Sequence, residues 1–199
     1  MPAAPRLALS FDAFLDWELE QETKHEYYRG EVFAMAGGTE PHANIISNLH
    51  LALRLALRDR DCKVYTDALG VRIEAADLYT YPDLSVVCGE RELYGPRKTA
   101  LLNPLVLVEV VSPSTENYDR TAKFDLYAQL PSLKAYVLVA QDAPSVHVYS
   151  RDGPHWQFVH TSEGEARLPA LDASLPLAEI YNGVTFPGPG ERTRPTPGV

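Results

Sequence analysis

The sequence predicts an α/β (α+β) fold in which a mixed β-sheet, flanked by helices, carries an added antiparallel hairpin. Three observations predict it. Residues 105–111 (LVLVEVV) and 135–140 (AYVLVA) are short aliphatic runs of the kind buried on both faces of a sheet, separated by a stretch with helical patterning. Residues 42–59 carry Ile45, Ile46, Leu49, Leu53, Ala56 and Leu57 at a 3.6-residue period, an amphipathic helix that should lie across a sheet. Arg151-Asp152-Gly153 between two apolar runs signals a hairpin.

Taken in order, Phe11, Phe14, Leu15 and Leu19 behind Ser10 predict a short capped helix over 11–22. Residues 27–35 read as two short strands around Arg29-Gly30, with Glu31 at the turn. After the long helix the period changes to two. Val64, Val71, Ile73, Leu84 and Val86 mark strands interrupted by a turn region at 75–80. Residues 89–103, with Gly95-Pro96, read as a loop, and 105–111 as the central strand. Ser112-Pro113-Ser114 ends that strand, Thr115 or Asn117 caps a helix running to about Leu130, and Pro131 stops it. Strand, helix and strand in so short a span form a βαβ unit with parallel strands. Residues 146–149 and 156–159 add antiparallel edge strands, and residues 187–199, rich in Pro and Gly, are expected to form a disordered tail.

The chain has 199 residues, enough for one domain, expected over 1–186. Its longest apolar run is far short of the roughly 20 residues of a membrane span. Asp12 arrives before an apolar signal segment can form, so no secretory leader is expected. Cys62 and Cys88, with no CxxC, argue against a disulfide scaffold and a zinc cluster, and a cytoplasmic location follows as the expectation. The net charge of −9 has the wrong sign for gripping nucleic acid over the whole surface. Residues 11–40 alone supply −6, which leaves room for local basic clusters at Arg54, Arg58, Arg60 and Lys63 and at Arg91, Arg97 and Lys98.

Six positions call for a chemical account. Glu109 stands inside the aliphatic central strand, where an uncompensated carboxylate costs several kcal/mol. A protein cation, a bound metal or a raised pKa would each compensate it. Asp83 follows Pro82 at the start of a strand, where it is a turn residue or, beside Glu109 on a neighbouring strand, half of a two-carboxylate Mg²⁺ site. Lys123 lies about three strand residues out and seven helical residues back from Glu109. At roughly 3.3 and 1.5 Å per residue, both legs are about 10 Å, which returns the lysine level with the glutamate. The alternative for Lys123 is an i, i+4 surface pair with Asp119. Glu31 is either a further carboxylate of the site or a solvated turn residue, and His42 either a phosphate contact or a helix-start packing residue. Tyr127 is expected to cover the core.

The order of Glu31, His42 opening a long helix, Pro82-Asp83, Leu107–Thr115 (LVEVVSPST) and the helix pattern Asp119-Arg120-x-x-Lys123-x-x-x-Tyr127 resembles the Uma-type family of restriction-endonuclease-like proteins, a branch of the PD-(D/E)xK nuclease superfamily. The resemblance spans roughly residues 8–185, and its specific part is EVVSPST joined to that helix. It implies a restriction-endonuclease-like core and hydrolysis of DNA phosphodiesters, with Asp83 and Glu109 as Mg²⁺ ligands and Mn²⁺ as a possible substitute. Lys123 would then be the catalytic lysine, with Glu31 assisting. In the superfamily pattern lysine stands two residues after the acidic residue on the same strand. Here that position is Val111, so the lysine has moved to the helix or is missing. Gln141 stands where relatives often carry an acid. Arg54 and Arg58, a turn apart, and His42 are the candidate contacts to DNA phosphates, and cutting both strands implies a homodimer, with no organic cofactor and no membrane. Two other readings fit the same residues: an inactive nuclease-fold module that binds nucleic acid or protein, which the acidic charge favours, and a metal-dependent hydrolase of small phosphate esters.

Overall fold

The computed structural model describes residues 9–35 and 37–186; the expected tail at 187–199 lies outside them. Helix α1 (Phe11–Glu18) starts at Ser10, whose hydroxyl accepts the Ala13 N–H at 3.3 Å, and it ends four residues before the expected boundary. Strands β1 (His25–Tyr28) and β2 (Glu31–Ala34) form a hairpin in which Arg29 and Gly30 both take positive φ, 50° and 85°. That geometry matches the twist of the flanking strands. Helix α2 (Glu40–Ala56) follows, then β3 (Cys62–Thr66), β4 (Gly70–Ile73), β5 (Leu78–Thr80) and β6 (Leu84–Cys88). β7 (Ala100–Leu101) and β8 (Val106–Val111) lead into a continuous helical run: α3 (Glu116–Tyr118), a π-helical turn (Asp119–Lys123) and α4 (Phe124–Tyr127). The chain continues with β9 (Ala135–Ala140), β10 (Val146–Asp152), β11 (His155–Thr161), β12 (Glu165–Leu168), β13 (Ala173–Pro176) and α5 (Leu177–Ile180).

The fold is mixed α/β, but it has two mixed sheets where one was expected. The larger has the order β11-β10-β9-β8-β6-β3, with β8 and β9 parallel as the βαβ reading required. The smaller has the order β2-β1-β5-β4-β7, and β12 and β13 form a separate hairpin. β5 and β7 fall in segments read as turn and loop. Both are three residues or shorter, too short for a two-residue period to register, and they exist because neighbouring strands supply their ladders. The hairpin between β10 and β11 turns at Gly153 and Pro154, so Arg151 and Asp152 belong to the strand rather than to the turn.

β8 lies near the middle of the larger sheet, and all six of its residues are buried. On one face Val106, Val108 and Val110 pack with Leu49 and Leu53 of α2 and with Leu175 and Ile180 from the C-terminal elements. Asn48 fixes α5 to α2 by donating to the carbonyls of Ile180 and Asn182 at 3.0 and 2.9 Å. On the other face Leu107 and Val111 pack with Tyr127, Tyr136 and Leu138 and with Val71 and Ile73 of the smaller sheet. The Glu109 side chain emerges on this second face, between the two sheets. Phe11 and Phe14 anchor α1 on Tyr27 and Tyr79, and the buried Arg72 guanidinium, paired with Asp77 at 2.6 Å, sits 3.9 Å from the Phe11 ring centre. These contacts fix β1, which matters for the site below.

Cys62 and Cys88 are directly opposite in the β3–β6 ladder and form a disulfide, contrary to the expectation of two unlinked cysteines. Sequence spacing cannot reveal a cross-strand partnership that register alone creates. The bond also removes the cysteine argument for a reducing compartment. It closes a loop of 26 residues, and such a constraint on the unfolded chain is worth about 3 kcal/mol. Reduction, or the paired Cys62→Ser and Cys88→Ser substitutions, should therefore lower the free energy of urea unfolding by about 2–4 kcal/mol; an unchanged midpoint would mean that the bond does not contribute. Among the described residues no helix is long and apolar enough to cross a membrane.

Candidate active site

The β6–β8 register pairs Leu84 with Val108 and, carried one residue further, sets Asp83 opposite Glu109. Pro82 frees the chain from the ladder here, so the Asp83 side chain takes over a backbone role: its Oδ2 accepts the Val110 N–H at 2.7 Å. Glu109 is 6% exposed. Its Oε1 receives the Tyr127 hydroxyl at 2.7 Å and lies 2.9 Å from Lys123 Nζ. The helical run thus folds back over the sheet and returns Lys123 level with Glu109. The lysine also lies 3.6 Å from Asp119 Oδ1, so the i, i+4 pair and the return to Glu109 coexist. A π-helical turn occupies Asp119–Lys123, and such turns recur at functional sites. Val111, the usual lysine position, is buried in the core, and Lys123 supplies from the helix the cation this strand lacks.

Two of the three compensations open to a buried Glu109 occur together. Burial raises its carboxyl, Lys123 pulls it down and the charges of Asp83 and Asp119 push it up again, a balance that leaves it at about 7. Burial alone would depress Lys123, but Glu109, Glu26 and Asp119 outweigh it and hold the ammonium charged. Asp119 is likewise raised by burial against the pull of Lys123.

His42 sits one turn into α2. Thr39, the N-cap, accepts the His42 N–H at 3.4 Å and donates its hydroxyl to Gln141 Oε1 at 2.8 Å, which ties the start of α2 to the end of β9. This contact gives Gln141 a role. Gly38 packs against the imidazole so closely that a Cβ there would lie 2.7 Å from Nδ1. Thus held, His42 Nε2 lies 3.3 Å from Asp83 Oδ2, and the bond to that carboxylate, against burial, shifts the imidazole toward its charged form. His42 therefore meets a carboxylate, a third arrangement besides phosphate contact and simple packing.

The hairpin contributes Glu26, which the sequence reading passed over as one acid among many. Its Oε1 accepts a short hydrogen bond from Thr80, and Thr80 also lies 3.5 Å from the Tyr127 hydroxyl, which links β1 to the Glu109 network. Tyr127 is accordingly a buried hydrogen-bonding partner as well as core. Glu31 is exposed on the same face of the hairpin, opposite Tyr28. Arg54 and Arg58 lie elsewhere. Arg54 is twelve residues past His42, about 18 Å along the helix axis, where with Arg58, Arg60 and Lys63 it lines a depression of about 190 Å³. The helix expected to reach residue 59 ends at Ala56, so Arg58 sits in the turn beyond it rather than on one helical face with Arg54, and helical spacing does not tell which end of the helix approaches a strand's carboxylate.

The ladder also extends the site sideways. Glu109 pairs with Leu138, Leu138 with His147, and His147 with His160, one row across four strands. His147 is buried, and burial, with the charge of Arg120 and of His160, lowers its pKa to about 4. The unfolded chain then takes up the proton first, so stability should fall as pH drops from about 6.5 toward 4. His147→Gln should flatten that part of the Tm against pH curve, and a curve unchanged by the substitution would remove this assignment.

Asp83 and Glu109 each engage one carboxylate oxygen in the contacts above and come from adjacent strands, a donor set that suits a hard divalent cation completed by water and phosphate. Among the described residues no three His, Cys, Asp or Glu side chains converge as a closed metal cage, so the set does not suit a structural transition-metal centre.

Comparison with known proteins agrees with this architecture. A crystal structure of a nuclease described as putative, belonging to DUF820, from Anabaena variabilis superposes with a TM-score of 0.71 at 19% identity, covering 87% of this chain and 98% of that one. That likeness concerns the fold. Two Synechocystis proteins named as uncharacterized, slr1290 and sll1609, are 35% and 29% identical over 93% and 77% of this chain and over 97% and 86% of their own. The family model Uma2, described as "Putative restriction endonuclease", matches residues 11–178. With most of its length matched by that model, the chain belongs to the Uma2 family.

Proposed function

We propose that this protein is a metal-dependent endonuclease that hydrolyses DNA phosphodiester bonds, with Asp83 and Glu109 as ligands of Mg²⁺, which Mn²⁺ can replace. The observation that carries the reading is the meeting of two strand carboxylates with a lysine from the following helix, Nζ at 2.9 Å from Glu109. A divalent cation bound there would polarise a phosphoryl oxygen and make water a better nucleophile. Lys123 supplies a fixed positive charge next to the scissile phosphate, the preorganised electrostatic stabilisation that usually dominates such reactions. Tyr127 and Asp119 orient Glu109 and Lys123, and His42 orients Asp83. Glu26 and Glu31, on the hairpin face, place further negative charge where water can be oriented. Each chain has one such site, so cutting a duplex on both strands takes a homodimer.

Metal binding is tested apart from cleavage. A ligand selective for the folded state stabilises it by about 2.7 kcal/mol at a hundred times its Kd. Mg²⁺ and Mn²⁺ should raise the melting temperature of the wild type, and Asp83→Asn and Glu109→Gln should each abolish the shift. A wild type indifferent to both cations would overturn the metal assignment and favour the inactive module.

A further inference from the structure

The cations at the site are already engaged. Lys123 is buried among Glu109, Asp119 and Glu26, and His42 is paired with Asp83. The Arg54 depression is about 18 Å away. On a chain of net charge −9, the lysine and histidine beside the carboxylates are thus held by acids rather than turned toward a duplex backbone.

The margins of the site carry exposed aromatic rings instead. Phe33, 47% exposed, is the cross-strand partner of Glu26 and so shares its face of the hairpin. Tyr118, 51% exposed, immediately precedes Asp119, and its hydroxyl lies within electrostatic reach of Glu26, Lys123 and Asp119. Further along the same helical run, the Arg120 guanidinium lies 5.8 Å from the ring centre of Phe158, which is 49% exposed. Asp119 thus turns inward to the lysine, while its neighbours Tyr118 and Arg120 stand at the rim. Single exposed aromatics are ordinary on protein surfaces. Here Tyr118 and Phe33, from two separate elements, border one candidate active site, and the Phe158–Arg120 pair continues the exposed aromatic surface from the same helical run.

We propose that this rim is a base-stacking platform and that the substrate is presented to the site single-stranded or locally unpaired, with bases stacked on Tyr118 and Phe33 and on the Phe158–Arg120 pair. The inference rests on the nuclease reading for the chemistry at Glu109, but it concerns binding. Stacking on aromatic faces is tolerant of sequence and independent of net charge, whereas an intact duplex hides its base faces. Binding should accordingly fall less steeply with salt than for a protein that relies on many phosphate contacts.

The test is fluorescence anisotropy in EDTA, where no turnover occurs, with a labelled 20-nucleotide mixed-sequence single strand and the same strand annealed to its complement. The single strand should bind at least about tenfold tighter than the duplex. Tyr118→Ala and Phe33→Ala should each weaken single-strand binding by roughly tenfold, while Tyr118→Phe retains it. Both positions are exposed, and unchanged melting temperatures will show that the three variants are folded. Equal or tighter duplex binding, or single-strand binding indifferent to both alanine variants, overturns the proposal even where the enzyme cleaves DNA. Tight single-strand binding lost in the variants supports it even if no cleavage is found, which would overturn the nuclease reading alone. Binding to neither probe overturns the proposal.

Discussion

Glu109→Ala should abolish cleavage, with a loss of at least about 10²–10³-fold, and should also destabilise the protein by about 3 kcal/mol. The two losses have different origins. On the proposed mechanism, activity goes because the substitution removes one of the two proposed metal ligands, and it also removes the partner that holds Lys123 in place. Stability goes because the ammonium stays buried, leaving Asp119 at 3.6 Å and the more distant charge of Glu26 to compensate it. Breaking one half of a buried pair generally costs 3–5 kcal/mol, and the remaining acids put this case at the lower end. Single-turnover cleavage and urea unfolding measure the two terms separately. A variant that stays fully active would remove Glu109 from the mechanism.

Lys123→Met should be comparably inactive, on the order of 10²–10³-fold down, and its stability loss should grow as pH rises. Without the lysine, Glu109 loses the charge that draws its pKa down and can take a proton. A folded glutamate that keeps its proton above the pH at which the unfolded one ionises loses stability as pH rises until it ionises too, so the higher folded pKa of the variant extends that loss to higher pH than in the wild type. The deficit of Lys123→Met should therefore be small near pH 5 and grow through and above about 7, the pKa Glu109 has with the lysine present. A double variant, Glu109→Gln with Lys123→Met, removes both charges and should recover much of the stability that each single loses while remaining inactive. A double variant as unstable as the sum of the singles would contradict the coupling.

Much of the site could be read from the chain because its geometry is local. Lys123 follows Glu109 through one strand end and one helical run, and strand rise and helix rise carry the lysine back without knowledge of any other element. Asp83 was legible because a proline and an aspartate open a strand that register then sets beside Glu109. Glu26 was not legible. It arrives through the β1–β5 pairing, a contact between residues about fifty positions apart, and nothing in the acid-rich segment around it distinguishes it from its neighbours. The disulfide was missed for the same reason, since only the β3–β6 register brings Cys62 to Cys88. Helical spacing carried the long helix through Arg58, but α2 ends at Ala56, so only Arg54 lies on it and Arg58 falls in the turn beyond the Leu57 C-cap, and the spacing said nothing of the 18 Å or so that separate Arg54 from His42. The strands after residue 161 were not legible in the sequence. They are specified by burial of Leu168, Leu171 and Leu175 against α2 and the larger sheet more than by any periodicity.

The central claim is that Asp83, Glu109 and Lys123 act together in metal-dependent phosphodiester hydrolysis. The most direct measurement is cleavage of supercoiled plasmid and of single-stranded circular DNA by the purified protein in Mg²⁺, Mn²⁺ or EDTA, beside Asp83→Asn, Glu109→Gln and Lys123→Met prepared identically. The account predicts cleavage in either cation, none in EDTA, and loss in all three variants. Cleavage that survives in the variants, or a wild type that cuts with neither cation, would contradict it.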